Sequence, residues 1–165
     1  MDLLWSPWRY DYVKTDEANI RESLTHCVFC DILLSSATDE NKFILHRAEF
    51  NFVILNIYPY ISGHLMVIPY SHLSEISDAN KQTTNELMDL TKLCQSSLKE
   101  VYQPNGFNIG MNLGKAGGAG VAAHFHMHIL PRWIGDSNFM TSIGQTRTIP
   151  ESLEITYEKL KVKFV

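Results

Sequence analysis

The chain has 165 residues, of which 45% are hydrophobic and 19% charged, with 18 acidic side chains against 14 basic and a formal net charge of −4. This composition suits one globular domain that buries a core unaided, and it excludes collagen-like and low-complexity chains. An acidic balance lacks the basic field on which non-specific nucleic-acid binding depends, and no apolar run approaches the ~20 residues of a membrane helix, so neither nucleic acid nor membrane is expected as a partner.

The first residues, Met1 to Pro7, have neither the basic start nor the apolar stretch of a signal peptide, so a cytoplasmic location is expected. Residues 1–25 read as an arm with aromatic anchors at Trp5, Trp8 and Tyr10. Residues 27–34 suggest a short helix. Strands are expected over residues 42–46, 50–55 and 64–69, rich in β-branched and aromatic side chains and punctuated by Tyr58-Pro59 and Ser62-Gly63.

The strongest helix covers residues 78–102, because Leu87, Leu90, Cys94, Leu98 and Val101 recur at steps of three and four; Ser77 or Asp78 would cap it. Its charged residues between Glu75 and Glu100 read as a solvated face. Pro104-Asn105-Gly106 ends the helix, and two further strands, 107–111 and 124–130, flank a glycine-rich loop. A last helix follows Pro150, with Leu153, Tyr157 and Leu160 inward. Strands gathered around one long helix, without βα alternation, indicate an α+β domain on a mostly antiparallel five-stranded sheet. It is read as one domain over 1–165, with the arm at 1–25 and a C-terminal extension over 134–165.

Three of the seven histidines fall within five positions, His124-Phe125-His126-Met127-His128. In a strand these alternate, placing three imidazoles on one face and Phe125, Met127 and Ile129 on the other. Such a cluster serves either a metal or catalysis: neutral imidazole can attack phosphorus while its neighbours hold its tautomer and protonate a leaving group. Upstream, Gly114-Lys115-Ala116-Gly117-Gly118-Ala119-Gly120 is nearly bare of side chains, so its amides can approach an anion.

His124-x-His126-x-His128 followed by two apolar residues resembles the signature of the histidine triad proteins, and Asn56 to Pro69, with Gly63-His64, resembles another block of that family. The likeness covers most of the chain. Within the family it is nearest to the bacterial diadenosine tetraphosphate phosphorylase branch, on Trp5-Ser6-Pro7-Trp8-Arg9, the Cys27 and Cys30 pair, the run from Gly106 to Asn112, Gly118-Ala119-Gly120, and Pro131-Arg132-Trp133 with the run from Gly135 to Phe139.

The resemblance implies a histidine triad fold, a homodimer, and a nucleotidyl-histidine intermediate on His126. His128 would contact the scissile phosphate and assist the leaving group, while His64 and His124 orient the triad. Asn56 would meet the ribose hydroxyls, Asn112 the polar position before the phosphate loop, and Ile57, Pro59 and Phe52 the base. Gly118, Ala119, Gly120 and Val121 would line the phosphates. The implied ligands are adenine nucleotides and phosphate, with no organic cofactor.

Hydrolytic members carry a Gly-Gln-Ser or Gly-Gln-Thr run before the triad, whereas Gly118-Ala119-Gly120-Val121-Ala122-Ala123 stands in this chain. Removing that Gln opens room for orthophosphate as the second acceptor, which favours a phosphorylase giving ATP and ADP. The alternatives are a hydrolase of dinucleoside polyphosphates, nucleoside phosphoramidates or adenylyl-sulfate, and a non-catalytic nucleotide-binding regulator. A hexose-phosphate nucleotidylyltransferase is disfavoured by His128, where that family has Gln.

Cys27-Val28-Phe29-Cys30 is half of a tetrahedral zinc site. The resemblance supplies the other half, since some members complete such a pair with the residues matching His72 and His124. That zinc would be structural. Otherwise the two are buried thiols beside an unrelated histidine.

Overall fold

The computed structural model describes residues 27–137 and 151–164; the arm expected over 1–25 and residues 138–150 lie outside them. Residues 27–133 and 151–164 belong to one compact unit, which is considered by itself.

Five strands, β1 (Ile44–Arg47), β2 (Asn51–Leu55), β3 (Leu65–Pro69), β4 (Gly106–Gly110) and β5 (Met127–Arg132), form one antiparallel sheet in the order β1-β2-β3-β5-β4. Three helices accompany it among the described residues: α1 (Val28–Leu34), α2 (Lys81–Tyr102) and α3 (Leu153–Lys161). This is the α+β arrangement that the sequence predicts.

Every residue of β2 and β3 is buried, because the sheet is covered on both faces. On one face Val53, Leu55, Leu65, Val67, Met127 and Ile129 pack with Leu87, Leu90, Cys94 and Leu98 of α2 and with Tyr157 and Leu160 of α3. On the other, Ile44, Phe52, Ile54, Met66 and Ile68 pack with Phe29 of α1. Phe52 is fully buried and stacked on Tyr70, so it is core and no flank for a base.

Three expectations are corrected. Helix α2 starts at Lys81 and its cap is Asn80, whose side chain accepts from the Thr83 amide at 2.8 Å; Ser77 and Asp78 lie instead in a 3-10 turn, Ile76–Asp78. Glu86 does not sit on a solvated face: its carboxylate accepts from the amides of Glu49 (3.0 Å) and Phe50 (2.8 Å) and from Asn51 Nδ2 (2.8 Å), tying α2 to the β1–β2 turn. An ionised acceptor makes the stronger hydrogen bond. Strand β5 begins at Met127 rather than at His124, because the amide of Phe125 donates to Leu73 O (2.7 Å) and so leaves the ladder.

The alternation survives that shift, since Phe125, Met127 and Ile129 enter the α2 side of the core. Gly63 turns the chain into His64 with φ +78°, and a Cβ there would stand 3.0 Å from Leu98 Cδ2. Only glycine meets both conditions without strain.

Candidate active site and metal centre

His64 ends the turn before β3, and His128 lies in β5 opposite Met66 of β3 and Gly110 of β4. Residues opposite one another in an antiparallel pair project to the same face. Gly110 therefore places no side chain beside His128, and a Cβ built on it meets nothing within 4 Å among the described residues.

The hydrogen bonds fix which nitrogen of each ring carries a proton. His64 Nδ1 faces the amide of Tyr60 (3.2 Å), and an N–H can only donate, so Nδ1 accepts. Asn56 supports this: its Oδ1 accepts from the Tyr58 amide (2.9 Å), which leaves Nδ2 aimed at His64 Nδ1 at 3.3 Å. The His64 proton therefore sits on Nε2 and is donated to His128 Nδ1 at 2.8 Å. Neutral His128 in turn carries its own proton on Nε2. Burial, reinforced by the nearby His128 and His126, pushes the His64 imidazole down to about 3, so it stays neutral throughout this relay.

His126 is held by the opposite rule. Its Nδ1 lies 3.0 Å from the main-chain oxygen of His124, which can only accept, so Nδ1 is protonated and Nε2 keeps the lone pair. Burial lowers its pKa, against the pull of that hydrogen bond. Its ring stands at 78° to His128, centroids 4.7 Å apart. A neutral, oriented imidazole beside a relay that presents a proton is equipped for nucleophilic attack with acid assistance.

His124 faces another way. Its Nε2 donates to Pro69 O at 2.9 Å, which leaves Nδ1 unprotonated, 3.3 Å from Cys27 Sγ and 3.7 Å from Cys30 Sγ. His72 Nδ1 lies 3.4 Å from Cys30 Sγ, and all four candidate ligand atoms fall within 4.8 Å of one another. In tetrahedral zinc, bonds of ~2.3 Å to sulfur and ~2.05 Å to nitrogen put S and N ligands about 3.5 Å apart, matching these separations. The carbonyl behind His124 is the usual outer partner of a metal-bound imidazole. The donor set thus fits zinc, whose four coordination positions would all be filled by protein. Burial, followed by the neighbouring Cys27, raises the Cys30 thiol; a bound cation reverses that by stabilising the thiolate.

The expected phosphate loop is folded on itself. Gly118 N donates to Lys115 O (3.0 Å), Ala119 N to Gly114 O (3.2 Å), and Asn112 Nδ2 to Gly118 O (3.4 Å), so Asn112 braces the loop. Gly117 is confined there, since a Cβ would fall 2.3 Å from Leu113 O. Val121 packs its side chain against the Phe29 cluster while its carbonyl accepts from the His124 amide at 3.4 Å, and Gly120 is exposed. Ile57 is 46% exposed.

Sequence reasoning missed two contributors. The Tyr60 amide has no side-chain signal at all. Phe29 was visible between the two cysteines but read as part of a helix; its ring packs on both His126 and His124.

Residues 37–133 match the HIT domain family. Over 169 aligned residues the chain is 37% identical to a protein of Mycobacterium tuberculosis named AP-4-A phosphorylase, covering 99% of this chain and 85% of that one. It is 27% identical over 89 residues to the asymmetrical bis(5'-nucleosyl)-tetraphosphatase of Schizosaccharomyces pombe, covering 54% of this chain and 48% of that one. Among solved structures, a zinc-bound histidine triad family protein from Mycobacterium smegmatis superposes with a TM-score of 0.67 at 27% identity, over 83% of this chain and 91% of that one. The chain belongs to the HIT, or histidine triad, family. No helix among the described residues is long and apolar enough to cross a membrane.

Proposed function

We propose that the protein transfers a nucleotidyl group from a dinucleoside polyphosphate, diadenosine tetraphosphate first, to orthophosphate through a covalent intermediate on His126. The observation that carries this is the pair of opposed tautomers: His126 with its lone pair on Nε2, and His128 with its proton on Nε2. In the first step His126 Nε2 attacks the α-phosphorus, a P–N bond forms, the P–O bond to the remaining three phosphates breaks, and ATP leaves with the proton from His128. The charge left on the imidazole strengthens the Nδ1–H bond to the His124 carbonyl. In the second step an orthophosphate oxygen attacks the same phosphorus, its proton passes to His128, the P–N bond breaks, and ADP leaves.

Two features support this reading over hydrolysis: the likeness to a protein named AP-4-A phosphorylase and the missing Gln side chain before the triad. Asn56, Asn112 and the main chain from Gly118 to Val121 are the proposed substrate contacts. Cys27, Cys30, His72 and His124 are the proposed zinc ligands, with zinc holding these segments together and taking no part in the reaction. A homodimer agrees with β4 lying at the sheet edge with Ile109 42% exposed, and sedimentation would measure it. Orthophosphate and reduced cysteines are both at home in a cytoplasm, the proposed location.

The test is the product distribution from diadenosine tetraphosphate with and without orthophosphate. ATP plus ADP, formed only with phosphate, is the expected result. ATP plus AMP regardless of phosphate would make the protein a hydrolase, and binding without turnover of any dinucleotide would make it a regulator.

A further inference from the structure

We propose that Phe29 is a positioning residue for the nucleophile: the edge of its ring holds the His126 imidazole in the one orientation that keeps Nε2 available for attack. The proposal rests on the reading of His126 as nucleophile given above.

Phe29 is the buried side chain of α1, 5% exposed. It enters the second core cluster beside Ile44, Ile54, Met66 and Ile68. Its ring centroid lies 5.0 Å from that of His126 at an interplanar angle of 64°, and 5.5 Å from that of His124 at 88°. His126 is therefore wedged by contact with two steeply inclined rings, Phe29 and His128, while its Nδ1 donates to the His124 carbonyl.

The need for such a wedge follows from the shape of imidazole. A half-turn about the Cβ–Cγ bond leaves the ring in nearly the same volume but exchanges Nδ1 with Cδ2. That turn breaks the bond to His124 O and swings Nε2 away from its line of attack. A single hydrogen bond on one ring atom resists this weakly, since neighbouring water or another carbonyl can replace it. Two inclined rings packed against it resist the turn sterically, because a turning ring sweeps a volume that Phe29 and His128 fill. Phe29 is itself held by its place between Cys27 and Cys30, whose sulfurs face His124 and His72. Attack geometry tolerates little error, and a displacement of ~1 Å costs up to about 100-fold in rate.

The test compares Phe29→Leu, which keeps apolar bulk without a flat ring, with Phe29→Tyr, which keeps the ring. Three measurements are made: metal content, steady-state kinetics (kcat and KM) on diadenosine tetraphosphate, and the ring nitrogen resonances of His126, assigned by their absence in His126→Ala. In Phe29→Leu we expect kcat to fall about 10- to 100-fold with KM little changed, and the distinct Nδ1–H and bare Nε2 signals of His126 to average together. Phe29→Tyr restores both. Wild-type kcat with an unaltered nitrogen pattern in Phe29→Leu would overturn the proposal. So would an averaged pattern in the unsubstituted protein, or the same change in unsubstituted protein stripped of metal, which would assign the effect to the Cys/His site. If Phe29→Leu fails to fold, Phe29→Met takes its place. Should the unsubstituted protein turn over no dinucleotide, the function reading fails while the nitrogen resonances still decide the role of Phe29.

Discussion

The two ends of the histidine run set the same side chain in different surroundings. At the His128 end, the neighbours are a second imidazole, a backbone amide and an asparagine, and each nitrogen has one permitted proton state. At the His124 end, the neighbours are two thiols, an exposed imidazole and a carbonyl behind the ring, an arrangement that fits a metal at the unprotonated nitrogen. Imidazole supplies both a donor and an acceptor, and its surroundings decide which nitrogen is which. His126 sits between them, tied to one end by its hydrogen bond and to the other by ring contact.

The contrast breaks most clearly at His126. His126→Ala is expected to lower turnover by at least ~10³-fold while substrate still binds and zinc content is unchanged, measured by kinetics, calorimetric titration and elemental analysis. Loss of zinc in that variant would show that the two ends are one site. Next, Cys30→Ala should reduce bound zinc to a small fraction of one per chain and lower the melting temperature by several degrees, with far less effect on turnover than His126→Ala. A loss of turnover as deep as that in His126→Ala would put the metal in the chemistry.

A pH series sharpens the other end. His64 has a folded-state pKa of about 3 against an ordinary value of 6.5, so between those values the unfolded chain binds a proton that the folded chain refuses. Stability from this group is complete above pH 6.5 and declines as pH falls toward 3, by a few kcal/mol in total. His64→Gln should flatten the decline seen in unfolding measurements across that window. The smallest effect is expected from Asn56→Leu, which removes one of two donors to His64 and should lower kcat about five- to tenfold with zinc content unaltered. An unchanged kcat with raised KM would assign Asn56 to substrate binding alone.

By itself, the sequence determined the elements and the class of site. Leu87, Leu90, Cys94 and Leu98 repeat at helical spacing and form the inner face of α2, because a period is a local property that burial then uses. The alternation of His124, His126 and His128 with Phe125 and Met127 likewise divided polar from core side chains before any tertiary contact was known.

Only the tertiary structure decided which atoms each imidazole meets. The Tyr60 amide on His64, the Pro69 carbonyl on His124 and the Phe29 ring on His126 are contacts across 4, 55 and 97 positions of chain, and none repeats with a period. The same holds for Glu86, which reads as a solvated helix residue until the β1–β2 turn folds against it. Periodicity fixes which face a residue lies on; a proton's place on a ring depends on single atoms brought up by distant segments, and folding alone brings them there.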